Sequence, residues 1–324
     1  MTVPSADFAT LSPDSVIDVV EEVLHERGNN ICRPLNSYIN RVYEVGLASG
    51  EFVIAKFYRP GRWSLQALQD EVDFLLELAE AEVPVVPPMA SEDGSALHHL
   101  RDIPFSLFPK KGGRPLEEPA RDVWPQMGRL IGRMHQVGAH RMPQDRIHLH
   151  PAESTEEHLD YILDCERMVP EHADEFEDVC GSIIDLISPL FGDVEAIRIH
   201  ADLHGGNILH RPGDGYHILD FDDLSVGPAV QDLWLILPDR LPNARYELDA
   251  LLSGYELFHE FSNESLRLIE PLRAMRYIHY TAWCARQIAD GGFSRLAPDW
   301  GTATFWRREI ADLLKQKNEI KRAI

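Results

Sequence analysis

Two short apolar runs, Ala196-Ile197-Arg198-Ile199-His200 and His217-Ile218-Leu219-Asp220-Phe221, each carry the chain to an aspartate. No other feature constrains the fold as much. The first run leads to Asp202 and on through Leu203-His204-Gly205-Gly206 to Asn207. The second delivers Asp220, followed by Phe221-Asp222-Asp223, eighteen residues after Asp202. Both runs have the β-branched texture of short strands. The Gly-Gly turn between Asp202 and Asn207 lets both side chains face one small volume. Asp, Asn and Gly are also ordinary turn formers, and Asp220, Asp222 and Asp223 could be a solvated loop. The decision therefore rests on what accompanies them.

The residue types and their order fit phosphoryl transfer. That chemistry needs a carboxylate to accept the proton of an attacking hydroxyl and a nearby amide oxygen to bind Mg²⁺. Asp202 and Asn207, with four residues between them, match this D-x-x-x-x-N arrangement. A carboxylate ending an apolar strand before an aromatic, as Asp220 does, is where kinases hold their main Mg²⁺ ligand. Lys56, inside Val53-Ile54-Ala55-Lys56-Phe57, resembles the strand lysine that contacts the α- and β-phosphates of ATP. Glu71 borders the apolar stripe of the next helical pattern and is its expected partner, with Asp70 and Asp73 as alternatives. Asp232, in Gly227-Pro228-Ala229-Val230-Gln231-Asp232, is read as support that accepts hydrogen bonds from the loop around Asp202.

Absences narrow the reading. There is no G-x-x-x-x-G-K-[ST], so a P-loop enzyme is excluded, and there is no G-x-G-x-x-G. Where such a loop would lie, before Val42, stands Pro34-Leu35-Asn36-Ser37-Tyr38-Ile39-Asn40-Arg41, with hydroxyl, amide and backbone N–H groups able to cover phosphates. Asp222 occupies the glycine position of a D-F-G. Seven residues separate Asp220 from Pro228, too few for a long phosphorylatable activation segment.

The first third of the chain alternates like a sheet. Val42–Val45 and Phe52–Tyr58, joined by Ser49-Gly50, read as an antiparallel hairpin. Leu65, Leu68, Val72, Leu75, Leu76 and Ala79 follow at helical spacing with Ser64 as N-cap, then Ile103–Phe108 as a strand. Pro109-Lys110-Lys111-Gly112-Gly113-Arg114 is polar and glycine-rich, and helical patterns dominate beyond it. The expected class is α+β: a bilobal, protein kinase-like fold with a small sheet-rich N-terminal lobe and a larger helical C-terminal lobe. The expected boundaries are a nucleotide-binding lobe at 1–108, a hinge at 109–114, and a helical catalytic and substrate lobe at 115–324.

Charge limits the partners. Against 31 Lys and Arg stand 53 Asp and Glu, a formal net charge of −22. Such a chain repels phosphate backbones and anionic lipid, so no nucleic-acid or membrane partner is expected, while cationic substrates stay open. Fourteen acids and one base, Arg167, lie between 151 and 195. They read first as a solvated helical face and second as a wall that attracts cations. The N-terminal MTVPSADFATLSPDS lacks the pattern of a signal peptide, and no apolar run reaches the roughly 18 residues of a membrane span. Cys32, Cys165, Cys180 and Cys284 are scattered without metal spacing, which reads as reduced thiols in a cytoplasmic protein.

These departures from a eukaryotic kinase form a pattern of their own. His200 to Leu209 and Ile218 to Asp223 resemble the aminoglycoside phosphotransferase and choline kinase branch of the kinase-like superfamily. A narrower set of segments is similar to the bacterial stress response kinase A family. It comprises Pro34–Tyr38, Asn40–Tyr43, Lys56–Pro60, Gly132–Gln136, Gly227–Trp234 and Ile269–Arg276, which run in order from 34 to 276 and so span most of the chain. That resemblance implies a cytoplasmic, monomeric Ser/Thr protein kinase that uses ATP and Mg²⁺ and acts in stress responses. It makes Asp202 the proton acceptor, Asn207 and Asp220 the Mg²⁺ ligands, and Ser37 an ATP contact. A small-molecule kinase acting on an aminoglycoside-, choline- or homoserine-like hydroxyl is the alternative.

Overall fold

The computed structural model describes residues 8–288 and 297–324. Packing divides the chain into two units that interleave in sequence. One comprises Met1–Arg146, Asp202–Leu224 and Pro238–His259, and the other Ile147–Ala201, Ser225–Leu237 and Glu260–Ile324. Residues 109–114 lie inside the first.

The first unit is built on a five-stranded sheet. Strands β1 (Gly28–Pro34), β2 (Arg41–Leu47), β3 (Phe52–Phe57), β4 (His98–Leu100) and β5 (Ile103–Pro109) pair in the order β1-β2-β3-β5-β4. Every neighbouring pair is antiparallel. The expected hairpin is β2–β3, and Gly50 takes φ 90° in its turn, a conformation that costs glycine little. Strand β3 is central: Lys56 faces Val42 across one edge and Ser106 across the other. A strand paired on both sides fixes its side-chain directions firmly, and this is what aims Lys56.

Helix α1 (Pro13–Leu24) packs on this sheet. Ser12 accepts the Ser15 N–H, the Ser15 hydroxyl returns to the Ser12 backbone, and Pro13 occupies the first turn. Val16, Val19 and Val20 bury against Val45, Leu47, Val53, Ala55, Phe57 and Phe105. The sequence reading passes over this helix. Its signals are Ser12-Pro13 and the i, i+3, i+4 spacing of the three valines. Helix α2 (Leu65–Glu80) starts where expected, with Ser64 accepting the Ala67 N–H. Its buried face holds Leu68, Val72 and Leu75 as expected, and also two acids, Asp70 and Glu71.

Helix α3 (Trp124–Gly138) buries Met127, Leu130, Ile131 and Met134, the face the periodicity marks. It packs against the helix Arg245–Tyr255 so closely that a Cβ on Gly128 would lie 1.8 Å from the Leu251 carbonyl oxygen. The ribbon Ile208–Arg211 and Gly215–Ile218, with Arg114–Pro115 along its edge, completes the unit.

The second unit is mainly helical. Helices Glu156–Leu163, Pro170–Ile187, Ile269–Gln287 and Ala303–Ala323 form its body, and Ile197–Ile199 pairs antiparallel with Ser225–Gly227. Phe176 meets Trp306 edge to face at 5.3 Å in its core. The acids of 151–195 sit on the other side: Glu153, Glu156, Glu157, Asp160, Glu171, Asp174, Glu175, Glu177, Asp178 and Asp185 are all exposed. No helix among the described residues is long and apolar enough to cross a membrane. Sheet and helices together give the expected α+β class.

Candidate active site

Lys56 is the centre of a charge cluster within the first unit. Its ammonium lies 3.1 Å from Glu71 Oε1, 3.2 Å from Asp220 Oδ1 and 3.4 Å from Asp222 Oδ1. Burial alone would depress the ammonium, but Glu71, Asp222 and Asp220 outweigh it and hold its pKa well above the usual lysine value. Glu71 is buried, and it also accepts the Tyr58 hydroxyl at 3.4 Å and Arg146 Nη2 at 3.3 Å. The alternatives are engaged elsewhere. Asp70 accepts the backbone N–H groups of Gln144 and Asp145, and Asp73 takes Gln69 and Arg141.

Asp220 stands at the head of the turn Phe221–Asp223 in a left-handed conformation, φ 59°, which Asp adopts more readily than most residues. Its side chain is 57% exposed, whereas that of Asp222 is 7% exposed. Arg62 spans the next two acids, with Nη1 2.6 Å from Asp222 Oδ2 and Nη2 2.6 Å from Asp223 Oδ1. The two carboxylates respond in opposite ways. Burial opposes ionisation of Asp222, yet Lys56, Arg62 and Arg146 keep its pKa well below the carboxylate range. Burial raises that of Asp223; Arg62 only partly offsets this, and Asp222, Asp202 and Asp220 add to the rise.

The loop from Asp202 to Asn207 is held by its backbone. The Asp202 carbonyl oxygen accepts Asn207 Nδ2 at 2.9 Å and the His204 N–H at 2.9 Å. With Nδ2 so engaged, Oδ1 is the atom of the Asn207 amide available to a cation. His204 Nδ1 accepts the Gly206 N–H, which directs Nε2 to the Asp202 carboxylate at 3.6 Å. Leu116 N–H reaches both Gly205 and Ile208 carbonyls, and a Cβ on Gly205 would lie 2.1 Å from the Leu116 carbonyl oxygen. Only glycine fits there.

Asp232 has the supporting place the sequence implies. Fully buried, it accepts the N–H of His200 at 2.7 Å and of Ala201 at 2.8 Å. Ala201 takes φ 67°, a strained conformation for alanine, and its carbonyl is held by Gln231 Nε2 at 2.8 Å. Asp232→Ala would leave the buried His200 N–H and the part-buried Ala201 N–H without that carboxylate and remove the restraint on Ala201. A loss of about 2–3 kcal/mol is expected in denaturant unfolding, the scale of hydrogen bonds to a charged group. A midpoint equal to wild type would count against this role.

The donor set suits a hard divalent cation that also binds phosphates. Among the described residues no cluster of three or more His, Cys, Asp or Glu side chains is arranged to hold a metal alone. Mg²⁺ typically takes one or two protein oxygens and completes its shell with phosphate and water. Asn207 Oδ1 and the exposed Asp220 carboxylate are oxygens of that kind.

The structure thus joins Lys56, Glu71 and Asp220 directly, and joins Asp202 to Asn207. Ser37 lies half-buried in the loop between β1 and β2, outside the ion pairs of both groups. Arg62 and Arg146 escape the sequence reading, and Asn40 and Asp222, which it names in a phosphate-covering loop and a solvated turn, are instead buried and bonded to each other. Asn40 closes the β1–β2 loop, bonding Asp222 Oδ1 through Nδ2 at 3.3 Å and accepting the Arg59 N–H at 3.1 Å. Arg146 gives Nη1 to the Asp222 carbonyl and Nε to that of Ala67. A polar Asn at a strand start is the one local signal that could have drawn attention to the group.

The profile of the phosphotransferase enzyme family matches residues 31–267. Stress response kinase A of Escherichia coli is 36% identical over 317 residues, 95% of this chain and 93% of that protein. Serine/threonine protein kinase RdoA of Salmonella typhimurium is 34% identical over 312 residues, with the same coverage. Among solved structures, amicoumacin kinase hAmiN in complex with AMP-PNP, Ca²⁺ and Ami superposes with a TM-score of 0.74 at 19% identity, over 97% of this chain and 94% of that one. The chain therefore belongs to the phosphotransferase enzyme family and is an ATP-dependent kinase of protein-kinase-like fold.

Proposed function

We propose that this kinase phosphorylates Ser or Thr hydroxyls of proteins, with ATP as donor and Mg²⁺ as its metal. The observation that supports the catalytic part is the meeting of Glu71 and the exposed Asp220 on one buried ammonium. Lys56, braced by Glu71, contacts the α- and β-phosphates, and Asn207 and Asp220 hold the metal. Bound there, the metal would neutralise charge on the β- and γ-phosphates. Asp202 accepts the proton of the acceptor hydroxyl, and Ser37 contacts ATP from the β1–β2 loop. Residues 109–114 act as the hinge between a nucleotide-binding lobe at 1–108 and a helical lobe at 115–324. The protein works in the cytoplasm as a monomer, in a stress response. Similarity to kinases called stress response kinase and serine/threonine protein kinase favours a protein substrate.

The exposed acids of 151–195 give a second reading some weight, since they would also draw a cationic small molecule. Labelled ATP with Mg²⁺, offered a casein-like protein in one reaction and aminoglycosides in another, separates the two. Label in protein alone supports the proposal, and label in the aminoglycoside alone overturns it. For a protein substrate, Ser or Thr flanked by Lys or Arg should be preferred. Its kcat/KM should fall as salt rises from about 50 to 300 mM, because screening weakens attraction at the surface. Neutralising Glu153, Glu156, Glu157 and Asp160 should flatten that dependence and leave nucleotide binding unchanged. A peptide array without basic preference would reduce the acids to a solvating face.

A further inference from the structure

Three carboxylates compete for one lysine in this site, and their exposures differ. Glu71 and Asp222 are buried behind Lys56, while Asp220 is 57% exposed. A carboxylate that takes a divalent cation directs its charge there and loosens its hold on the ammonium. Lys56 would then depend on the two that remain. We propose that Asp222 is a positioning residue that keeps Lys56 in place when Asp220 turns to the metal, and that Arg62 and Asn40 hold Asp222 to that task. The proposal rests on the reading of Asp220 as the metal ligand.

The contacts of Asp222 carry the argument. Its Oδ2 is taken by Arg62 Nη1 at 2.6 Å, and its Oδ1 by Asn40 Nδ2 at 3.3 Å and Lys56 at 3.4 Å. Its carbonyl accepts Arg146 Nη1 at 2.7 Å. A Mg²⁺ ion at this carboxylate would stand among three cationic side chains, whose repulsion is strong away from water. Asp222 is therefore no substitute ligand, although it lies two residues from Asp220. Asn40 extends its reach. That residue ends the loop carrying Ser37, and Leu35 N–H closes the loop's base on the Val42 carbonyl at 2.8 Å. One buried carboxylate thus ties the β1–β2 loop, the strand lysine and the 59–62 segment to the turn that presents Asp220. A glycine at position 222 could make none of these ties.

Three titrations on purified full-length protein test this: the Mg²⁺ midpoint at saturating ATP, the ATP KM at saturating Mg²⁺, and the calorimetric Kd of a non-hydrolysable ATP analogue with Mg²⁺. Asp222→Asn is expected to raise the ATP KM and that Kd about tenfold, the scale of one charge-assisted contact, with the Mg²⁺ midpoint unchanged. Asp220→Asn should move the Mg²⁺ midpoint upward. Arg62→Gln should reproduce the Asp222→Asn pattern, and the double variant should be no worse than either alone, since both break one unit. A raised Mg²⁺ midpoint in Asp222→Asn would make it a ligand and overturn the proposal, as would a normal ATP KM. If Asp222→Asn does not fold, the same titrations on Asn40→Ala decide: a raised ATP KM at an unchanged Mg²⁺ midpoint supports the tie, and an unchanged KM refutes it. An unmoved Mg²⁺ midpoint in Asp220→Asn is a separate failure, removing the metal assignment and this proposal with it.

Discussion

Asp202→Ala is expected to lower turnover by roughly 10²–10⁴, the usual worth of a positioned general base, while nucleotide affinity stays near wild type. The separation follows from how the loop is built. Asn207 and His204 bond the Asp202 carbonyl oxygen, which alanine retains. Truncation removes the carboxylate and leaves the Asn207 amide aimed as before. Lys56, Glu71 and Asp220 exchange their ion pairs without Asp202, so the groups read as holding ATP should be little disturbed. His204 Nε2, 3.6 Å from the Asp202 carboxylate in the wild-type protein, would lose that partner and turn toward solvent. Calorimetry of a non-hydrolysable ATP analogue with Mg²⁺, beside steady-state rates, measures the two quantities independently. Near-normal turnover would remove Asp202 from the mechanism. Lost affinity with lost turnover would mean that the carboxylate shapes the nucleotide site as well.

Local pattern carries part of this site and long-range pairing the rest. Lys56 is legible because the β2–β3 hairpin announces itself through two β-branched runs around Ser49-Gly50. The Ser64 cap is legible because capping is decided within three residues. Glu71 is a different case. Asp70, Glu71 and Asp73 all lie near the inner face of α2, and only tertiary packing tells which one meets Lys56. Asp70 instead ties down the backbone at Gln144 and Asp145, a use with no sequence signature. The group around Asp222 is beyond reach for the same reason. Asn40 bonds it across 182 positions, and Arg62 bonds Asp223 across 161. Spacing along the chain carries no trace of such pairs. Helix α1 is legible in the same local way as the Ser64 cap, through the Ser12 cap, Pro13 and the spacing of Val16, Val19 and Val20. The interleaved packing units are set by which helices return to which core, and composition does not record that.

Glu71→Ala is expected to cost about 3–5 kcal/mol of stability, the scale of breaking a buried ion pair by removing one partner. Against the 5–15 kcal/mol typical of folded domains, that is about a fifth or more of the total. Both oxygens of Glu71 are in use. Oε1 faces Lys56 and the Tyr58 hydroxyl, and Oε2 faces Arg146, whose side chain is fully buried. Alanine would strand two cations in a low-dielectric core with only Asp222 and Asp220 nearby. Glu71→Gln, which keeps the shape and can accept one hydrogen bond on its carbonyl, separates charge from packing. If charge dominates, Gln should lose nearly as much as Ala. The pH dependence has a definite sign. Burial lowers the Lys56 pKa, but Glu71 leads the groups that raise it well above its ordinary value. A raised folded-state pKa contributes stability that is fully present below the unfolded value, about 10.4, and is lost as pH rises through the folded value. Without Glu71 the folded value is lower, so less of that stability is present and its loss is complete at lower pH. The gap between wild type and Glu71→Ala should therefore hold through neutral pH and narrow only on strongly alkaline titration. Urea unfolding across that range measures it. A Glu71→Ala protein within about 1 kcal/mol of wild type near neutral pH, the level of an exposed pair, would mean that Asp222 and Asp220 alone suffice to hold Lys56.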